Sequence, residues 1–99
     1  MNAPITILLV DDNEDDIFFS KHALREAQIT NPYQTVTDGK EAIDYLSGAG
    51  KFADRTQFPL PGLMLLDLKM PRKTGFDVLQ WVREQTHLRT LPIIILTTS

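Results

Sequence analysis

Cysteine is absent from this chain of 99 residues. Its absence excludes disulfide frameworks, thiolate zinc sites and cysteine nucleophiles. Long apolar runs are also missing: the longest uninterrupted ones have four residues, whereas a membrane-spanning helix needs about 20. The first residues have no basic segment and turn acidic where a signal peptide would be cleaved. We therefore expect a cytoplasmic protein that makes no contact with a membrane.

Clusters of basic residues are lacking as well. The chain carries 10 Lys and Arg against 13 Asp and Glu, a formal net charge of −3. Since no segment concentrates the cations, the electrostatic footprint of a nucleic-acid-binding protein is missing. Hydrophobic residues make up 42% and charged residues 23%, proportions typical of soluble globular proteins. The length supports one small domain, which we place at residues 1–99.

Apolar runs that predict strands alternate with stretches that predict helices. The strand candidates are Ile5–Val10, Tyr33–Thr37, Leu63–Asp67 and Ile93–Leu96. Two capping patterns mark helix starts: Asp38 with Glu41, and Thr74 with Asp77. The inner face of the last helix is expected to carry Phe76, Leu79 and Val82. The order β-α-β-α-β-α-β indicates an α/β fold, a doubly wound parallel sheet with helices on both faces.

Acids and hydroxyls follow three of the four predicted strands. Asp11 and Asp12 follow the first strand, Asp67 ends the third, and Thr97 and Thr98 follow the fourth. Ligands of open parallel sheets bind at these carboxyl ends. If the first and third strands are neighbours, three carboxylates converge there and repel one another unless a hard cation such as Mg²⁺ neutralises them. A carboxylate beside Mg²⁺ is also a possible nucleophile toward a phosphoryl group.

Two other phosphate chemistries do not fit the sequence. The Gly48-Ala-Gly50-Lys51 segment follows a helix and has Ala53 where a third glycine belongs, which excludes a dinucleotide site. A haloacid-type phosphatase needs a second Asp two residues after its nucleophile, and Lys69 stands at that position. The acids Glu14, Asp15 and Asp16 are interpreted as solvated residues of a first helical turn.

The spacing of these residues resembles the receiver domain of bacterial two-component response regulators. The matching motifs are Val10-Asp11-Asp12, Leu66-Asp67-Leu68-Lys69-Met70-Pro71, Gly75 and Leu96-Thr97-Thr98. The loop from Gly48 to Gly62 is similar to that of stand-alone receivers of the phytochrome-associated kind. The resemblance implies a flavodoxin-like fold and a conformational switch driven by phosphorylation. It also implies a phosphoacceptor that only phosphorylates and dephosphorylates itself, and is not otherwise an enzyme.

The resemblance implies a role for each site residue. Asp67 would accept the phosphoryl group from a sensor histidine kinase or a phosphotransfer protein. Asp12 and Asp67 would ligate Mg²⁺ directly, the Lys69 backbone carbonyl would supply a third protein ligand, and Asp11 would act through water. Neither the cognate kinase nor the downstream target follows from the sequence.

Two further roles fall at the end of the chain. The resemblance implies that Thr97 is the switch hydroxyl and that Thr98 occupies the small-residue position beside the site. It also implies a fifth strand, ending in a lysine, after the fourth, whereas the sequence stops at Ser99. We therefore interpret the chain as a receiver truncated after the fourth strand.

Truncation would leave apolar surface uncovered. We expect an exposed apolar edge at Ile93–Leu96 and open faces on the first and third strands, and hence an oligomer or swapped assembly. Without the lysine, a phosphorylation-independent interaction module on the receiver fold is the main alternative function. A small metal-dependent hydrolase is a third, which would turn over phosphate esters.

Overall fold

The structure, a computed structural model, describes residues 4–70 and 73–96. Its strands are β1 (Ile7–Val10), β2 (Tyr33–Val36), β3 (Leu63–Asp67) and β4 (Ile93–Leu96). Its helices are α1 (Glu14–Glu26), α2 (Gly39–Ser47) and α3 (Gly75–Glu84). Short 3₁₀ turns cover Gly50–Phe52 and Thr86–Leu88. The predicted order of elements is confirmed.

The strands form one parallel sheet in the order β2-β1-β3-β4. β1 therefore lies between β2 and β3, with Ile7 opposite Leu63 and Val10 opposite Leu66. This arrangement confirms the α/β doubly wound sheet and the expected contact between the first and third strands. β3 and β4 have the predicted bounds, whereas β1 begins two residues later than its apolar run.

Each face of the sheet has its own apolar core. Because successive strand residues point to opposite faces, Leu8 and Val10 contact the core under α2 and α3, whereas Ile7 and Leu9 point the other way. The larger core also contains the buried residues Val36, Ala42, Tyr45, Leu46, Phe52, Met64, Leu66, Met70, Val78, Val82, Leu88 and Leu91.

The expectation of open faces on the first and third strands is wrong. On the α1 side, Leu9 is fully buried and Leu65 is only 8% exposed. Ile17 and Leu24 of α1 pack on this cluster and cover it. The exposed apolar surface of the sheet lies instead on the edge strand β4, where Ile94 is 51% exposed. The predicted apolar edge is thus confirmed.

Of the three residues predicted on the inner face of α3, Leu79 and Val82 pack in the core, whereas Phe76 does not. Phe76 is 65% exposed, whereas Val78 and Val82 are fully buried. Phe76 precedes Val78 by two residues, about 200° around the helix, so the two cannot share a face. The predicted capping box is confirmed: the Asp77 amide donates to Thr74 Oγ1 (3.3 Å), and the Thr74 amide donates to Asp77 Oδ2 (3.0 Å).

The segment after α2 folds back onto that helix. The Arg55 guanidinium donates to three carbonyl oxygens: those of Tyr45 (2.8 Å), Leu46 (3.0 Å) and Phe58 (3.2 Å). The Tyr45 hydroxyl donates to the Pro59 carbonyl at 2.8 Å. Arg55 thereby adds hydrogen bonds to the Tyr45 and Leu46 carbonyls in the last turn of α2, where helical partners run out, and it ties the segment to the helix.

Candidate metal centre

Three carboxylates meet at the carboxyl edge of the sheet. Asp11 directly follows β1, Asp12 comes next, and Asp67 is the last residue of β3. Because Val10 and Leu66 are partners in register, the two strands end at the same level. One oxygen from each carboxylate lies within 4.8 Å of the others. The structure therefore brings together the three acids that the sequence places at strand ends.

Asp11 is the most deeply buried of the three, with 1% of its surface exposed. Its Oδ1 accepts a hydrogen bond from the Asn13 amide at 3.0 Å. Its Oδ2 is buried and has no hydrogen-bond partner among the described residues. Burial raises the pKa of this carboxyl, and the charges of Asp67, Asp16 and Asp12 raise it further, whereas the Asn13 amide lowers it.

An unpaired carboxylate oxygen in a buried position is costly. A divalent cation would pair with it and would neutralise the repulsion among the three acids. The donors are all hard carboxylate oxygens, the type that Mg²⁺, Mn²⁺ and Ca²⁺ prefer. The site therefore fits a divalent cation of this class.

Asp67 is held in place by the turn that follows it. Asp67 is 2% exposed, and its Oδ1 accepts a hydrogen bond from the Lys69 amide at 3.1 Å. Met70 is 6% exposed and belongs to the core under α2 and α3. The turn is thus tied both to Asp67 and to the apolar core, which limits the positions that the carboxylate can take.

The start of α1 supports the other side of the site. The Asn13 side chain caps the helix by accepting a hydrogen bond from the Asp16 amide at 2.9 Å. The acids of the first turn suit the positive end of the helix dipole, in agreement with the interpretation from sequence. Asp12 itself is exposed, so it faces solvent at the rim of the cluster.

Three predicted site residues remain: Lys69, Thr97 and Thr98. Lys69 is exposed, and its amide is engaged with Asp67. Thr97 and Thr98 lie outside the described residues. Their predicted roles stay predictions.

Sequence reasoning missed Gly39, and it named Gly75 only as a matching residue of the family pattern; the amides of both contact the backbone that follows Asp67. Gly75 donates to the Leu68 carbonyl at 3.2 Å, and Gly39 donates to the Lys73 carbonyl at 3.1 Å. The available signal was the Asp-Gly pair just after the second predicted strand, which we interpreted only as a helix cap.

An open depression of about 560 Å³ lies elsewhere, between α2 and the 3₁₀ turn at Gly50–Phe52. Lys40 and Lys51, which line it, are paired with Asp44 (2.9 Å) and Glu41 (3.5 Å). None of the three site carboxylates lines it, so it is separate from the metal centre.

None of the described helices is long and apolar enough to cross a membrane.

Comparison with known proteins identifies the family. The family model of the response regulator receiver domain matches residues 7–99. The chain belongs to the response regulator receiver family. It is 34% identical over 98 residues to the response regulator Rcp1 of Synechocystis sp. (strain ATCC 27184 / PCC 6803 / Kazusa), covering 99% of this chain and 65% of Rcp1. A solved Mn(2+)-bound form of Rcp1 superposes with a TM-score of 0.86 at 33% identity, over 97% of this chain and 67% of that one.

Two solved phytochrome response regulators are also similar to the chain. The bacteriophytochrome response regulator AtBRR has a TM-score of 0.91 at 40% identity, over 99% of this chain and 69% of that chain. The phosphorylated cyanobacterial phytochrome response regulator RcpA has a TM-score of 0.87 at 37% identity, over 98% and 67% of the two chains. The resemblance to phytochrome-associated receivers is thus confirmed. The chain spans 59% and 65% of the lengths of two curated relatives.

Proposed function

We propose that residues 1–99 act as a receiver domain in which Asp67 accepts a phosphoryl group in a Mg²⁺-dependent reaction. The observation that carries the proposal is the convergence of three carboxylates within 4.8 Å at the ends of β1 and β3. Family membership supports it, since RcpA has been solved in a phosphorylated form.

The proposed cation site consists of the carboxylates of Asp11, Asp12 and Asp67 with the backbone carbonyl of Lys69. The buried Oδ2 of Asp11, which has no partner among the described residues, supports a cation at this position. Rcp1 has been solved with Mn²⁺, an ion with the same preference for oxygen ligands. When bound, Mg²⁺ supplies positive charge that offsets the repulsion between the carboxylates and an incoming phosphate.

Asp67 acts as the nucleophile in this proposal. A carboxylate oxygen of Asp67 forms a bond to phosphorus, while the bond between phosphorus and the donor atom breaks. With a phosphohistidine donor the leaving group is the imidazole nitrogen, and with acetyl phosphate it is acetate. The product is an acyl phosphate on Asp67, which water later hydrolyses. The Lys69 amide orients the attacking carboxylate through its hydrogen bond to Oδ1 (3.1 Å).

The remaining roles follow the family pattern. We propose that Thr97 is the switch hydroxyl that contacts the phosphoryl group, and that Thr98 is the small residue beside it. The donor is a sensor histidine kinase or a phosphotransfer protein in the cytoplasm. Phosphorylation shifts an equilibrium between two conformations, which a downstream partner detects. The domain turns over no substrate other than its own acyl phosphate.

Intact mass spectrometry after incubation with acetyl phosphate tests the proposal. Wild-type protein with Mg²⁺ is expected to gain one phosphoryl group, and omission of Mg²⁺ or addition of a chelator is expected to prevent the gain. The Asp67→Asn variant, which keeps the shape of the side chain but lacks the nucleophilic carboxylate, is the control. An adduct that persists in Asp67→Asn refutes the assignment of Asp67. Mg²⁺ binding without any adduct would instead favour the interaction module.

A further inference from the structure

The first residue of α2 makes a backbone contact with the segment that precedes α3. The Gly39 amide donates to the Lys73 carbonyl oxygen at 3.1 Å. A Cβ atom at position 39 would lie 2.2 Å from that oxygen and 2.7 Å from the Lys73 carbonyl carbon. These distances are far below van der Waals contact. Only glycine therefore allows α2 to begin this close to Lys73.

A second glycine makes the equivalent contact next to Asp67. The Gly75 amide donates to the Leu68 carbonyl at 3.2 Å. A Cβ atom at position 75 would lie 2.5 Å from the Asp67 carbonyl oxygen and 2.7 Å from the Leu68 Cα. Gly75 thus holds the Leu68 backbone beside Asp67, and Gly39 holds Lys73, two residues before Gly75.

The helix that carries Gly39 is rigidly placed. Asp38 Oδ1 accepts a hydrogen bond from the Glu41 amide at 2.7 Å, and Glu41 Oε1 accepts one from the Thr37 amide at 3.0 Å. Ala42, on the next turn, is fully buried in the core. Because α2 cannot readily move away, a side chain at position 39 would displace the Lys73 backbone.

We propose that Gly39 is a positioning residue for the metal centre, a role that rests on the proposed function of that site. By holding Lys73, Gly39 fixes the backbone two residues before Gly75, whose amide in turn donates to the carbonyl of Leu68, between Asp67 and Lys69. The hydrogen bond from the Lys69 amide to Asp67 Oδ1, and the direction of the Lys69 carbonyl, depend on where the Leu68 backbone is held. Gly39 thus acts on the site although it lies on α2, which carries none of the site carboxylates.

The Gly39→Ala variant tests this role against two controls. Gly62→Ala introduces a comparable clash, 2.7 Å from the Ile5 Cβ, but beside the first residue of β3, at the opposite end of the strand from Asp67. Ala42→Gly lowers stability through α2 itself, because it removes a buried methyl group and introduces glycine into a helix. Each variant is titrated with Mg²⁺ alone and is then incubated with Mg²⁺ and acetyl phosphate.

Gly39→Ala is expected to remain folded by circular dichroism and to bind Mg²⁺ about 10- to 100-fold more weakly, as when groups that orient metal ligands are altered. The amide chemical shift of Lys69 is expected to change, because it reports the hydrogen bond to Asp67. The two controls are expected to match wild type in Mg²⁺ affinity and in Lys69 shift even where their unfolding temperatures fall.

Three outcomes overturn the inference. It fails if Gly39→Ala binds Mg²⁺ as tightly as wild type. It also fails if Ala42→Gly, at a matched loss of unfolding temperature, loses as much Mg²⁺ affinity, since the effect would then be one of stability alone. If wild-type protein itself neither binds Mg²⁺ nor forms the adduct, the proposed function fails first, and the positioning role fails with it.

Discussion

Replacing Asp11 with Asn is expected to stabilise the metal-free protein. The substitution keeps the size of the side chain but removes a buried charge that has one oxygen without a hydrogen-bond partner. It also removes the repulsion from Asp67 and Asp12, whose oxygens lie within 4.8 Å. The retained Asn oxygen can still accept from the Asn13 amide, and the new NH₂ group can donate toward the neighbouring carboxylates.

The size of the effect follows from burial. Leaving a buried polar group unsatisfied costs about 1–3 kcal/mol, and more when it is charged. We therefore expect Asp11→Asn to gain about 1–3 kcal/mol without metal near neutral pH. For a domain of this length each kcal/mol raises the unfolding temperature by about 4–8 °C. The exposed Asp12 is the matched control, and Asp12→Asn is expected to gain less because its carboxylate is hydrated.

The gain depends on pH in a defined direction. Burial raises the pKa of Asp11 in the folded protein above its ordinary value of 3.8. At pH values below the pKa of Asp11 in the unfolded protein, the carboxyl is neutral in both states and its burial carries no charge penalty. Wild type and Asp11→Asn are then expected to be equally stable. As the pH rises through the folded pKa, wild type loses stability that the variant keeps. The difference between the two proteins is thus largest at neutral pH and absent in acid.

Thermal unfolding with and without Mg²⁺ measures both the stability of the metal-free proteins and their stabilisation by Mg²⁺. At a concentration of 100 times its dissociation constant, Mg²⁺ stabilises wild type by about 2.7 kcal/mol. Asp11→Asn is expected to lose most of this stabilisation, because a neutral amide binds Mg²⁺ poorly. A metal-free variant that is less stable than wild type at neutral pH would refute the reasoning, as would a variant with the full response to Mg²⁺.

Three further predictions concern other parts of the molecule. Tyr45→Phe removes the hydrogen bond to Pro59 and should lower the free energy of unfolding by about 1 kcal/mol. Because burial raises the pKa of Tyr45 above 10.0, wild type should also lose stability as the pH rises through the folded pKa. In urea unfolding, Tyr45→Phe should lack that pH-dependent loss. Arg55→Met breaks three hydrogen bonds to carbonyls and should cost about 2–4 kcal/mol in the same assay, with faster proteolysis of the 49–60 segment. Ile94→Lys should shift the oligomer expected at the β4 edge toward monomer in light scattering, and a wild-type chain that is monomeric at all concentrations would contradict this expectation.

The parts of the fold that were predictable depend on local pattern. Each apolar run stops sharply at a polar residue, so the strand ends, and with them Asp11 and Asp67, could be located from the sequence. The Thr74–Asp77 capping box was equally local, and its two hydrogen bonds are present. Placing the carboxylates together needed one more step, the adjacency of β1 and β3, which the topology of parallel sheets favours.

The parts that were not predictable depend on contacts between distant residues. Phe76 was assigned to the inner face of α3 together with Leu79 and Val82, but the core contains Val78 and not Phe76. The extent to which Ile17 and Leu24 of α1 cover Leu9 and Leu65 was underestimated, because how much of a sheet face one helix covers depends on packing in the assembled fold. The contact between Gly39 and Lys73 leaves no periodic signal, since only the assembled fold brings the two backbones together.

The structure also explains why repulsion at the site is not relieved by movement. β1 is hydrogen-bonded on both sides, to β2 and to β3, and its residues Leu8, Leu9 and Val10 are fully buried. The Asp11 amide continues this pairing by donating to the Val36 carbonyl at 3.1 Å. Asp67 is fixed in the same way by the β3 ladder and by the Lys69 amide. Because neither backbone can withdraw without breaking the sheet, movement does not separate the charges, whereas protonation or a bound cation would lower the repulsion between them.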